Sequence, residues 1–95
     1  MKKILITNGY GAGWSTWNPA NQECLTDPTI IAMVEANTSS TDIENKAKEM
    51  WADGYWGGGD NLKVIEVEEA TDFRIIEHDG WEDIMYKTDY NWIIL

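Results

Sequence analysis

The chain has 95 residues, of which 43% are hydrophobic and 25% charged, and its 17 acids against 7 basic residues leave a net charge of −10. That length makes one domain, residues 1–95, with enough apolar content to fold and little to spare. The charge argues against direct nucleic acid binding, because the basic stripe that neutralises phosphates is missing and the molecule as a whole repels them.

Cys24 is the one cysteine, so no internal disulfide forms, which suits a reducing cytosol. No run approaches the roughly 20 apolar residues of a membrane span. Ile4-Leu5-Ile6 behind Lys2 and Lys3 is too short for the core of a signal peptide and reads as a buried strand. The expectation is a cytoplasmic protein without membrane contact.

In chain order, residues 2–7 predict a first strand. Residues 8–26 form a long connection rich in Gly, Asn and Trp, of a length that is usually functional in a compact domain. Asp27 as cap and Pro28 at the first helical position start a helix, which Asn37 stops. Thr41 and Glu44 have the spacing of a capping box for a second helix. Its stripe is Ile43, Ala47, Met50 and Trp51, and Gly54 ends it. A second Gly/aromatic loop covers 53–61. Strands follow at 62–68, 73–78 and 81–86, the last two joined by the tight-turn pair Asp79-Gly80, with a further strand at 91–95.

The order β-α-α-β-β-β predicts an α+β fold. It would be a mostly antiparallel sheet of four or five strands with the helix pair on one face. One helix leads the chain away and the next brings it back, so loops 8–18 and 53–61 are expected at the same end.

The candidate ligand site is Asn8-Gly9-Tyr10-Gly11-Ala12-Gly13-Trp14-Ser15-Thr16-Trp17-Asn18. A glycine-rich loop after a strand turns backbone N–H groups toward an anion. It is not a dinucleotide fingerprint, because Trp14 and Thr16 stand where a glycine is required, and no Gly-Lys-Ser/Thr follows for a phosphate loop. In this reading Gly11 and Gly13 present amides, and Asn8, Ser15 and Thr16 supply hydrogen bonds. Trp14, Trp17 and Trp56 stack on a ring. The competing reading has the tryptophans plugging the core, and six in 95 residues is a large supply for either purpose. Trp51, Trp81 and Trp92 read as packed.

Glu66, Glu68 and Glu69, extended by Asp72, Glu82, Asp83 and Asp89, are the alternative site, an acidic face for a basic partner. The one histidine, His78, sits at a hairpin tip without metal-ligand spacing, so no metal and no cofactor is expected. No acid, base and nucleophile assemble, and the expectation is a protein that is not an enzyme.

The stretch Lys3 to Asn18, with Asp53-Gly54-Tyr55-Trp56-Gly57-Gly58 and Phe73-Arg74-Ile75, resembles a group of small, mostly uncharacterised tailed-bacteriophage proteins. The resemblance implies a viral accessory protein acting in the host cytoplasm, where small acidic phage proteins often oppose immunity. It implies no site residues. The leading expectation is therefore non-catalytic sequestration of a small polar, nucleotide-type ligand, with a homo-oligomer supplying pocket space that 95 residues lack. The alternatives are an acidic inhibitor covering the basic, nucleic acid-binding surface of a host defence protein, and a structural or virion-assembly role.

Overall fold

The computed structural model describes residues 2–68 and 72–86. The strand expected at 91–95, together with Glu69, Lys87, Asp89 and Trp92, lies outside the described residues. The order is β1 (Lys2–Thr7), α1 (Pro28–Glu35), α2 (Ser40–Met50), β2 (Leu62–Val67), β3 (Phe73–His78) and β4 (Trp81–Tyr86). Short 3-10 segments cover Ser15–Trp17, Pro19–Thr26 and Gly59–Asn61.

Local chemistry explains most boundaries. Asp27 accepts the Ile30 amide at 2.9 Å and Pro28 opens α1, as the sequence predicts. Asn37 takes φ of 58°, while its own amide bonds Val34 O and the Thr38 amide bonds Met33 O. That pair of bonds is the left-handed stop that satisfies the last carbonyls of a helix. The start of α2 differs from the expected capping box. Ser39 caps it, its hydroxyl accepting the Asp42 amide, and Glu44 reaches across to the Gly59 amide instead. A serine two positions earlier, already in extended conformation (φ −60°, ψ 148°), satisfies the helix start and frees Glu44 for the loop.

The described strands make two antiparallel two-stranded sheets, β1–β2 and β3–β4, and not the single sheet of four or five strands expected. The cause is the two-sided apolar character of β1. Leu5 and Val64 face the helices, where they join Ile30, Ile31, Ile43, Ala47 and Trp51. Ile4, Ile6 and Val67 face the other way, against Phe73, Ile75, Ile84 and Tyr86 of the hairpin. Both faces of one small sheet are thus covered, by helices below and by the β3–β4 hairpin above, which lies over β1 and does not extend its edge. Asp79 (φ 50°) and Gly80 (φ 90°) form the predicted turn. A Cβ on Gly80 would collide with the Ala12 backbone, so the turn is pressed directly onto loop 8–18.

Candidate functional site

The two Gly/aromatic loops meet, as their predicted placement required. The Asn8 amide donates to Asn61 O at 2.7 Å. Asn18, buried, staples the loops with its side chain: Nδ2 donates to Trp14 O and Tyr55 O, and Oδ1 accepts the Tyr55 amide. Two of their three tryptophans, however, leave no ring face open to a ligand, and only Trp17 stays exposed. Trp14 (0% exposed) and Trp56 (1%) pack with centroids 4.7 Å apart, and Trp56 also meets Trp51 at 5.2 Å. Both indole N–H groups are used internally, Trp14 to Cys24 O and Trp56 to Trp51 O. For these two residues ring stacking on a ligand is replaced by core packing, since a flat apolar surface of this size gains more from burial than from water.

Loop 8–18 does form an anion cradle, and the anion is the protein's own. Glu82, 1% exposed, enters it from β4. Its Oε2 accepts the Trp14 amide at 2.8 Å, the Thr16 amide at 3.1 Å and the Thr16 hydroxyl at 2.5 Å, while Oε1 accepts the Thr7 amide at 3.0 Å. The Thr7 hydroxyl donates to Gly80 O. Gly11 does not face an anion, because its amide donates to Asp79 O. Gly13 provides the close approach: a Cβ there would press on Thr16 Oγ1 and Trp17. Ser15 is buried, Asn8 is exposed at the rim, and of the donors assigned to a ligand Thr16 is committed to Glu82 with both its amide and its hydroxyl. Period two in β4 carried the signal. Ile84 and Tyr86 face the core, so Glu82 faces it too, an acid at an apolar position that needs donors.

Cys24 closes the same region. Burial, reinforced by the Glu82 charge, pushes its thiol up from an ordinary 9.0 to about 12. A thiol so held stays protonated and inert. We expect a disulfide-exchange reagent at pH 8 to label native protein only as fast as it unfolds; immediate stoichiometric labelling would contradict this burial. Because the folded-state value is raised, the stability tied to this thiol is complete below pH 9 and is lost as pH climbs toward 12.

What remains open is a neighbouring face. Of the large apolar side chains exposed among the described residues, all but Met50 belong to it: Tyr10, Trp17, Tyr55, Ile76 and Trp81. Tyr10 (65% exposed) stands against Trp81 with ring centroids 5.2 Å apart and edge-on to His78. Trp17 packs on Tyr55 at 5.6 Å. Glu77 ties the two pairs together, since its Oε2 accepts the Trp17 indole at 3.0 Å and the Gly80 amide at 2.7 Å. Those two bonds, the indole's first, hold its carboxyl below the ordinary value. Tyr10, Ile76, Glu77, His78, Trp81 and Asp83 line a concavity of 250 Å³. Tyr10 and Tyr55 were missed in the sequence because Gly-rich loops give no facing, and Trp81 because a strand aromatic reads as core.

A second, wider groove of 620 Å³ runs beside Ser15, Thr16, Gln22, Phe73 and Arg74. In the alternative acidic site, Glu66 and Glu68 are exposed on and just after β2, and Glu66 stands opposite Lys3. Among the described residues no three His, Cys, Asp or Glu side chains gather as a metal site needs, and no helix is long and apolar enough to cross a membrane. The chain matches no protein-family model, no curated protein and no solved structure.

Proposed function

We propose that this is a non-catalytic binding protein whose working surface is the aromatic and acidic face around Glu77, and whose partner is a basic protein surface. The observation that carries the reading is the clustering of exposed Tyr10, Trp17, Tyr55 and Trp81 about charged Glu77, Asp79 and Asp83 on a molecule of net charge −10. Aromatic anchors with a charged rim are the composition of binding hot spots, and contiguous exposed apolar area marks interaction sites. The acids steer a basic partner and repel phosphates. Together with the N-terminal motif, this supports a phage accessory protein in the host cytoplasm that covers the nucleic acid-binding surface of a defence protein.

The test is a host-cell pull-down with identified partners. A true partner should release with rising salt, be competed by nucleic acid, and bind at least about tenfold more weakly to Tyr10→Ala/Trp81→Ala, a 1.4 kcal/mol loss or more. A partner indifferent to salt and to both substitutions would overturn the reading.

Sequestration of a small polar ligand is the second reading, supported by the groove beside Ser15 and Arg74, whose volume lies within the roughly 300–1,000 Å³ of small-molecule sites. It predicts a defined compound eluted by heat from protein purified from infected cells.

A further inference from the structure

We propose that the concavity between Tyr10, Trp81, Glu77 and Asp83 is a receptor for one arginine side chain of the partner protein; this rests on the reading of the face as a docking surface for a basic protein. Size comes first. At 250 Å³ the concavity falls below the roughly 300–1,000 Å³ of small-molecule sites, and suits one long side chain. Its walls come next. Tyr10 and Trp81 bring their rings, Ile76 an apolar side chain and Asp83 a carboxylate on the same hairpin face as Ile76 and Trp81, with Glu77 at the edge, on the strand beside Asp83's. A guanidinium stacks on an aromatic face while its planar fork meets carboxylates.

Preorganisation is the third argument. Gly11 N–H on Asp79 O fixes the loop that carries Tyr10 to the hairpin turn. The Trp17 indole and the Gly80 amide both bond Oε2 of Glu77. Asp83 is likewise set, its Oδ1 accepting the Ile84 amide at 2.8 Å. The site is therefore a carboxylate held by two bonds to one oxygen, beside the aromatic pair of Tyr10 and Trp81. Lysine fits it less well. An ammonium is compact and strongly hydrated, and a shallow site cannot strip that water, whereas a guanidinium is weakly hydrated and keeps one edge in solvent while its face is covered. A second copy of this chain is disfavoured as occupant because it would bring Glu77, Asp79 and Asp83 against their own copies.

The experiment is a titration of the full chain, followed by amide and indole NMR shifts, with two unstructured ten-residue peptides of equal charge, one rich in arginine and one in lysine. The arginine peptide should bind at least about tenfold more tightly and shift Tyr10, Glu77 and Trp81. Tyr10→Ala, Trp81→Ala and Glu77→Gln, each checked for native spectral dispersion, should reduce its affinity to the lysine peptide's level. Equal binding of the two peptides, unaffected by Tyr10→Ala and Trp81→Ala, would overturn the arginine receptor while leaving the basic-partner reading standing. Binding of neither peptide would overturn both. A concentration-dependent dimer that broadens Tyr10 and Trp81 would assign the face to a second copy and overturn the proposal.

Discussion

Glu82→Ala is expected to cost roughly 3–5 kcal/mol, the loss typical when one partner of a buried, hydrogen-bonded charge arrangement is removed. The carboxylate accepts three backbone amides and a hydroxyl in a site from which water is excluded. Truncation leaves those donors unpaired and opens a cavity beneath the hairpin. A small domain has a total stability on the order of 5–15 kcal/mol, so the variant should sit near the edge of folding at 37 °C. Glu82→Gln keeps one acceptor oxygen but turns an amide N–H₂ toward donors, and should cost about 1–3 kcal/mol. Urea unfolding would rank the proteins wild type, Gln, Ala. A Glu82→Ala midpoint equal to wild type would mean that the carboxylate does not hold the loop.

Trp14→Ala and Trp17→Ala form the second large contrast, because the two residues lie three apart in one loop and have opposite surroundings. Trp14 is sealed against Trp56 and the helix core, and its truncation should cost about 3–5 kcal/mol. Trp17 is 38% exposed and rests on Tyr55 and Glu77. Its truncation should cost about 1 kcal/mol or less in stability, with the loss appearing in partner binding instead. Thermal unfolding measured beside binding separates the two. If Trp14→Ala were fully stable and defective only in binding, the indole would be a recognition element and the packing described above would be wrong.

The pattern of what the sequence disclosed follows from the range of the forces. Asp27 with Pro28, Asn37, and Asp79 with Gly80 were legible because each acts on backbone within a few residues. The meeting of the two loops was legible from element order alone. The amide cradle was legible as geometry, but its occupant was not. Glu82 lies 68 positions from Trp14 and reaches it only because the hairpin folds over β1 and not beside it. The same choice of face explains the two small sheets. Alternation in β1 is lost when both faces are apolar, and a strand buried on both sides does not state which neighbour covers which side. The aromatic face was illegible for a related reason: six tryptophans and four tyrosines look alike in sequence, and only packing sorts Trp14 and Trp56 inward from Tyr10 and Trp81 outward.

These facts make the glycine-rich loop a clamp for the hairpin, which in turn carries Trp81, Glu77 and Asp83 to the exposed face beside Tyr10. Hydrogen exchange at the Trp14 and Thr16 amides tests that arrangement most directly. With Glu82 seated, both should exchange only through global unfolding, with the same protection as Ile43 and Ala47 in α2, and Glu82→Gln should lower their protection more than that of the helix. Rapid exchange of Trp14 and Thr16 in the wild-type protein, while α2 stays protected, would contradict the clamp and return those amides to the pool available for an external anion.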